Sequence, residues 1–318
     1  MEVIPLNRYE FDRAEMGSPF RIVLYAPNPA LATNAAEAAY KRIQQLNDIM
    51  SDYEPDSELS QLCHHFAPGQ PVRVGNDLWV VLQRAQYLSE HSNGAFDVTV
   101  GPVVNLWRQA RREEKLPDPT RLAKARLAVG YKMMKLDPAT HTVALLAPNM
   151  RLDLGGIAKG YAMHQAIHVL QRLGVQDALV EGGGDLEVSG PPPDKRGWRI
   201  ELPPLDVTNA PPSRFVLLSH AGLSTSGDLF QRLEINGVRF SHIVDPRTGI
   251  GLTDHSLVTV VAPNDFLADG LTKVMSVLKP AEAMQFIKKE PHAAARIVRK
   301  PADKIEIYES RGFHRLYE

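Results

Sequence analysis

The chain has 318 residues, with 36 Lys and Arg against 37 Asp and Glu, 44% hydrophobic residues and a single cysteine. This length fits one large unit or two lobes, and the balanced charge argues against a protein that binds nucleic acid through a basic surface. There is no apolar run of the roughly 20 residues that a membrane helix needs and no signal-peptide pattern at the start, so the sequence as given predicts a cytoplasmic protein, or an exported one if a leader was trimmed.

The first elements alternate between strand and helix patterns. A strand is predicted over 20–25 after a Gly-Ser-Pro turn, and an amphipathic helix over 36–50. Residues 51–57 then form a loop, because Pro55 disfavours helical geometry before it, and Ser57 caps a short second helix. Cys63 lies in that helix, where a packed thiol is favoured over a nucleophile.

The middle of the chain contains three further patterns. Asn76 is predicted to cap a helix with Asp77 in its first turn, and a short strand is predicted over 95–100. Residues 108–125 mix both charges and are interpreted as a surface excursion. The clearest helix of the sequence is predicted over 155–173.

The C-terminal part is dominated by strand patterns. Strands are predicted over 178–180, 198–202 and 257–261, and Asn236 with Gly237 indicates a two-residue hairpin turn. A last helix is predicted over 268–278, before a hairpin-like stretch near Ile305. Because the strands come in clusters rather than in strict alternation with helices, the pattern favours an α+β fold with mixed, largely antiparallel sheets and packed helices.

Two glycine-rich segments could bind an anion. In LDLGGIAKGY (152–161), glycines precede a helix whose first amides could approach a phosphate, with Lys159 nearby; a tight strand-to-helix turn explains the same residues equally well. EGGGD (181–185) follows a strand, but no apolar helix comes after it, so a dinucleotide-binding Rossmann motif is disfavoured.

Two other segments could supply a base and a metal site. His242 and Asp245 could act as a base and its orienting carboxylate, although a structural pair in a turn is the commoner arrangement. Asp269 and Thr272 offer hard oxygen ligands for Mg²⁺. The alternative for Asp269 is an acidic residue favoured by the dipole at a helix start.

Eight blocks in order resemble the ApbE-type flavin transferases, the FAD:protein FMN transferases, across nearly the whole chain. They are MGSPFRIVLY, MSDYEPDSELSQL, GAFDVTVGPVVNLW, LDLGGIAKGYA, EGGGD, GLSTSGD, SHIVDPRTG and LADGLT. The resemblance implies a single ApbE-like, T-fold-related unit over residues 1–318, with two lobes as an alternative arrangement. It also implies Mg²⁺-dependent transfer of FMN from FAD to a threonine of an acceptor protein, with release of AMP.

The resemblance also implies roles for individual residues. His242 is our hypothesis for the catalytic group that deprotonates the acceptor hydroxyl or steadies the phosphate. The implied metal ligands are Gly156, through its carbonyl, Asp269 and Thr272. The implied flavin contacts are Met16, Tyr53, Ala95, Phe96, Asp97, Asp153, Lys159 and Val244.

Three positions depart from the family pattern and leave alternatives open. His164 stands where the family usually has Asp, Cys63 where it has Asn, and Lys273 where it has the metal-binding Thr. The Lys273 ammonium could repel Mg²⁺ or stand in for it beside Asp269, and Thr272 could supply the oxygen instead. The alternatives to a transferase are therefore an FAD pyrophosphatase and an FAD-binding protein with weak or no activity.

Overall fold

The computed structural model describes residues 5–206, 213–227, 232–301 and 304–318. Asp228, the last residue of the GLSTSGD block, lies outside these ranges. The helices of the described chain are α1 (Pro29–Met50), α2 (Glu58–His65), α3 (Asn76–His91), α4 (Gly101–Glu113), α5 (Pro119–Arg126), α6 (Ala158–Arg172), α7 (Asp265–Val277) and α8 (Pro280–Ile287).

The strands of the described chain are shorter and more numerous than the helices. They are β1 (Asn7–Glu15), β2 (Ser18–Ala26), β3 (Val72–Arg73), β4 (Met134–Asp137), β5 (Thr142–Leu145), β6 (Ala178–Gly182), β7 (Asp185–Val188), β8 (Trp198–Leu202), β9 (Arg214–Leu218), β10 (Ala221–Gly227), β11 (Arg232–Ile235), β12 (Val238–Ser241), β13 (Val244–Asp245), β14 (Ile250–Gly251), β15 (Ser256–Ala262), β16 (Ala294–Arg299) and β17 (Glu306–Glu309).

One antiparallel sheet forms the centre of the fold, in the order β1-β2-β6-β7-β10-β15-β16-β17. Helices α1, α6 and α7 pack side by side, with α6 against β6 and β7 and α7 against β10 and β15. These helices, largely antiparallel strands and mixed small sheets confirm the predicted α+β class. None of the helices in the described ranges is both long and apolar enough to cross a membrane.

The two faces of the sheet carry separate apolar cores. Along β2, Ile22 and Leu24 point into the core under the helices, whereas Val23 points into a second core on the other face, as the two-residue strand period requires. The second core is covered by the β8–β9 hairpin and a C-terminal turn that buries Phe313. The central sheet is therefore covered by an apolar core on each face.

A third, smaller core joins α4 and α5 to β11–β14. Trp107 and Ala110 are buried in it, because Val103, Trp107 and Ala110 recur at helical spacing and bury one face of α4 while the charges occupy the other. Within 108–125, the predicted surface excursion, Ala110 is buried and the other side chains are exposed or half-buried, so the excursion stays a prediction. Helix α5 carries no buried residue. The division of the chain into lobes stays a prediction.

The strand predicted over 95–100 is also wrong, since these residues form turns with a single bridge from Val100 to Arg151. The cause is a buried carboxylate. One oxygen of Asp97 accepts from the amide and hydroxyl of Thr99 at 2.8 and 2.7 Å, and the other accepts from the amide of Tyr131 at 2.7 Å. Such side-chain bonds to nearby backbone favour a turn over a strand.

Several helix boundaries differ from those predicted. Helix α1 begins at Pro29 because Asn28 caps it, accepting from the amide of Leu31. Asn76 is the first residue of α3 rather than its cap. Helix α7 begins at Asp265, so Asp269 lies one turn inside the helix rather than at its start, and α8 follows it. The predicted hairpin at Asn236 and Gly237 is confirmed, with φ of 51° and 75°.

Candidate functional site

The two glycine-rich turns predicted from the sequence lie next to each other. The turn before α6 is held by Asp153, whose Oδ1 accepts from the amide of Gly155 at 2.8 Å. The turn between β6 and β7 has positive φ at Gly183 and Gly184, which glycine adopts without strain. Lys159 lies in α6, just after the first turn, and its Nζ reaches the second turn. A Cβ built on Gly183 would lie only 2.7 Å from this Nζ.

Helix α7 brings a half-buried lysine to the same place. Nζ of Lys273 lies 2.8 Å from Oδ1 of Asp269, 2.6 Å from Oγ of Ser226 and 3.1 Å from Oγ1 of Thr272. Asp269 and Thr272 are fully buried, and the Lys273 side chain is 19% exposed. We call Lys273, Asp269, Ser226 and Thr272 the lysine cluster.

The lysine cluster touches both neighbouring elements. A Cβ on Gly156 would lie only 3.0 Å from Cγ of Lys273 and 3.6 Å from the ring of Phe96. The amide of Gly160 donates to Oδ2 of Asp269 at 3.2 Å. Gly156 therefore leaves room for the lysine stem, and α6 and α7 are joined directly by the Asp269 carboxylate.

A second buried carboxylate balances the charge beside the cluster. Asp185 accepts from Oγ of Ser224 at 2.6 Å, and its Oδ2 lies 3.8 Å from Nζ of Lys159. Burial and the negative charge of Asp269 raise the pKa of Asp185. Burial lowers the pKa of Lys273, but Asp269 and Asp185 outweigh it, so this pKa lies above its ordinary value and the amine is charged at neutral pH.

Asp265, in the first turn of α7, is a buried carboxyl of a different kind. Neither of its oxygens has a hydrogen-bond partner among the residues that the structure describes. Burial raises its pKa well above the ordinary value, and the nearby Asp185, Asp269 and Glu187 raise it further. A carboxyl in this setting is most stable in its neutral form.

The residues present do not fit a Mg²⁺ ion while Lys273 holds this position. Mg²⁺ takes oxygen ligands at about 2.0–2.1 Å in octahedral geometry, and the oxygens of Asp269 and Thr272 instead surround an ammonium group. A divalent ion on the same two oxygens would be in contact with that positive charge, which repels it. Over the described ranges, no three His, Cys, Asp or Glu side chains are arranged to hold a metal.

A second group of charges lies on the other side of the Gly155 turn. Arg108 pairs with Asp153, Nη2 to Oδ2 at 2.8 Å, and also with Asp52, while its guanidinium lies 4.5 Å from the ring centre of Tyr53. Burial raises the pKa of Asp153, against the lowering effect of Arg108. Tyr53 is 73% exposed. We call Arg108, Asp52, Asp153 and Tyr53 the arginine cluster.

The other predicted contacts lie in three places. Met16 has a φ of 48° in the β1–β2 turn and is half-buried. Ala95 and Phe96 are buried in the main core. Asp97 is also buried, and both its oxygens are used by the turn described above. Their contacts to a flavin stay predictions.

The predicted His242 follows β12, and Asp245 is the last residue of β13. Asp245 receives a bidentate bond from Arg247, with both nitrogens at 2.9 Å, so its carboxylate already orients a different side chain. Val244 is buried in the third core. The catalytic role of His242 stays a hypothesis.

His164 and Cys63, the other two positions that depart from the family pattern, each contact a neighbouring residue. Nδ1 of His164 lies 2.9 Å from Oε1 of Glu187, whose other oxygen accepts from the amide of Asp265 at 2.8 Å. The sulfur of Cys63 accepts from the amide of Leu152 at 3.3 Å, and burial raises the pKa of its thiol. Cys63 is therefore a packed thiol rather than an activated nucleophile.

The sequence interpretation missed Ser226 of the lysine cluster, Arg108 and Asp52 of the arginine cluster, and Asp185 beside the lysine cluster. Ser226 and Asp185 lie inside the GLSTSGD and EGGGD blocks, so the blocks marked their location but not their contacts. Arg108 was hidden in a charged segment read as solvated. Its partners Asp52 and Asp153 are distant along the chain, and no local pattern indicates such a pair.

Comparison with known proteins gives a consistent result. The family model described as the ApbE family matches residues 16–297. An FAD:protein FMN transferase of Haemophilus influenzae is 35% identical over 81% of this chain and 76% of its own length, and one of Vibrio cholerae is 30% identical over 97% and 92%.

Solved structures agree with the sequence relatives. The flavin transferase ApbE from Vibrio cholerae superposes with a TM-score of 0.88 at 27% identity, over 98% of this chain and 100% of that one. The apo flavinyl transferase ApbE of Pseudomonas stutzeri gives 0.86 at 27% identity, over 100% and 99%. From its sequence and its fold alike, this chain belongs to the ApbE family.

Proposed function

We propose that this chain transfers FMN from FAD to a threonine hydroxyl of an acceptor protein and releases AMP. The observation that carries the proposal is the meeting of two glycine turns with the cationic side chains of Lys159 and Lys273. Such a place can bind the diphosphate of FAD, because backbone amides and ammonium groups both favour phosphate oxygens. The names of the relatives, FAD:protein FMN transferase, support the same substrate.

The reaction needs one bond made and one broken. The threonine Oγ attacks the phosphorus of the FMN half, and the bond from that phosphorus to the AMP oxygen breaks. The hydroxyl proton passes to a base, for which His242 is our candidate, and AMP leaves with the bridging oxygen. Positive charge near the diphosphate stabilises the charge that develops on the leaving phosphate.

Two parts of the chain would hold the two halves of FAD. Lys159 and the amides of the glycine turns would contact the diphosphate beside the positive charge of Lys273, whereas the exposed ring of Tyr53, held against Arg108, would contact the flavin ring. An aromatic ring offers stacking area with few side-chain torsions to freeze. The resemblance also implies Mg²⁺, but no step is assigned to a metal here because the described side chains do not fit one.

A direct assay tests this function. The purified chain is incubated with FAD and threonine-containing acceptor peptides, with and without Mg²⁺, and the products are separated by chromatography and mass spectrometry. We expect AMP together with a peptide whose mass has increased by that of FMN less one water. Free FMN and AMP without a labelled peptide would indicate an FAD pyrophosphatase, and bound FAD without AMP would indicate a binding protein.

A further inference from the structure

We propose that the Lys273 ammonium is the resident counter-cation of the diphosphate site, so that this chain binds FAD without a divalent metal ion. This inference rests on the proposed function, since it specifies how the same site handles the charge of its substrate. It also distinguishes between the two alternatives that the sequence left open for Lys273, repulsion of a metal and replacement of it.

The first argument is the position of the charge. Nζ of Lys273 lies among the oxygens of Asp269, Thr272 and Ser226 at 2.6–3.1 Å. Two of these three residues are the predicted metal ligands. The ammonium therefore occupies the same set of oxygens that a metal would need, rather than lying beside it.

The second argument is that the surroundings are shaped for a lysine. Its stem passes Gly156 so closely that a Cβ there would lie 3.0 Å from Cγ, and each of the three N–H groups has an oxygen acceptor within hydrogen-bond distance. A buried ammonium is stable only when it is paired and hydrogen-bonded in this way. A side chain so placed cannot leave the site without breaking three hydrogen bonds and unpairing Asp269.

The third argument is the balance of charge around the substrate. Two ion pairs lie at the site, Lys273 with Asp269 at 2.8 Å and Lys159 with Asp185 at 3.8 Å. The lysines therefore cancel the two protein carboxylates. An incoming diphosphate meets a site whose negative charge is already compensated, and the glycine-turn amides provide the remaining attraction.

The proposal is tested on the wild-type chain by asking whether FAD affinity depends on Mg²⁺. FAD affinity is measured by calorimetry, first with EDTA and then with saturating Mg²⁺. Because Mg²⁺ cannot favour the FAD-bound form without a site in it, we expect the two Kd values to agree within about two-fold. A Kd that falls by about ten-fold or more with Mg²⁺ would overturn the proposal.

Variants at position 273 make the test independent of transfer activity. Lys273→Met keeps the stem and removes the charge, and should raise the Kd for FAD by about ten-fold or more with or without Mg²⁺. Lys273→Thr should bind FAD weakly in EDTA and regain affinity with Mg²⁺, whose binding is titrated directly. Lys41→Met, on the exposed face of α1, is the matched control. Unchanged FAD affinity in a folded Lys273→Met protein would also overturn the proposal.

The two proposals fail in different ways. Metal-dependent FAD binding followed by transfer would overturn the role of Lys273 and leave the proposed function intact. Metal-independent FAD binding without AMP release would overturn the function and support the role of Lys273. No FAD binding under either condition would overturn both.

Discussion

The lysine cluster and the arginine cluster differ in where their charged partners come from and in how far they reach the surface. Lys273 pairs with Asp269 one turn back on the same helix, whereas Arg108 pairs with carboxylates from two other segments. In the lysine cluster Asp269 is fully buried and Lys273 is 19% exposed, whereas Tyr53 of the arginine cluster is 73% exposed. The ion pairs of the arginine cluster are enclosed as well, with side chains 15% exposed at Arg108, 9% at Asp153 and 20% at Asp52, so only its tyrosine ring is open to solvent. The lysine cluster is therefore expected to fix a charge, and the arginine cluster to hold an aromatic ring where a ligand can reach it.

The largest effect is expected from breaking the buried pair. Asp269→Ala leaves the Lys273 ammonium buried without its carboxylate, and should lower the free energy of unfolding by about 3–5 kcal/mol. Urea denaturation at neutral pH measures this change. The double variant Asp269→Ala, Lys273→Met is the control, because it removes both charges and should recover part of the loss. A loss of less than about 1 kcal/mol in the single variant would show that the pair is solvated.

A smaller effect is expected from the carboxyl that the buried region keeps neutral. The folded-state pKa of Asp265 is raised above its unfolded value, so the folded protein binds its proton more tightly. Its contribution to stability is full below the unfolded pKa of about 3.9 and is lost as the pH rises towards the folded pKa, by up to about 1.4 kcal/mol per pH unit.

Asp265→Asn removes this dependence, so the variant should gain stability relative to wild type as the pH rises. Urea unfolding across a pH series measures the difference, and Asp56→Asn, at an exposed position, controls for the removal of a carboxylate. A constant difference between variant and wild type at every pH would show that Asp265 is not held neutral.

A smaller loss of stability than that of Asp269→Ala is expected at the arginine cluster. Arg108→Met removes the partner of Asp52, Asp153 and Tyr53, but Asp153 keeps the amide of Gly155 and Asp52 is 20% exposed to water. The free energy of unfolding should therefore fall by about 1–2 kcal/mol. FAD affinity should fall by about two- to five-fold, because Tyr53 loses the cation that holds its ring.

Arg112→Met, on the exposed face of the same helix, is the matched control for Arg108→Met. Equal stability loss in the two variants would mean that Arg108 is no more than a surface charge. A loss at Arg108 as large as that of Asp269→Ala would remove the contrast between the clusters.

The sequence predicted the class of fold because local patterns were clear. The hairpin at Asn236 and Gly237 and the turn at Gly183 each need positive φ, and their residues indicate it directly. The local pattern wrongly predicted a strand around Asp97. Its residues have strand preference, but the Asp97 carboxylate accepts from the amide of Tyr131, and this bond favours a turn. The bond partner lies in another segment, so the pattern of 95–100 alone could not reveal it.

The site was predictable in part. The ordered blocks placed Gly156, Asp269 and Lys159 in one region, and the structure brings the turn of Gly156 against Lys273. The substitution at Lys273 was visible in the sequence, but the position of its ammonium depends on Ser226 from a different strand. Arg108 could not be found from local charge, since α4 presents both charged and buried faces.

The strand order of the central sheet has a consequence for how the protein folds as it is synthesised. Strand β2 pairs with β6, and much of the chain must leave the ribosome between them. Until then one edge of the N-terminal hairpin is open, which is a hazard for aggregation. Helix α7 is made later still, so we expect the lysine cluster to form only after β2, β6 and β7 have all left the ribosome.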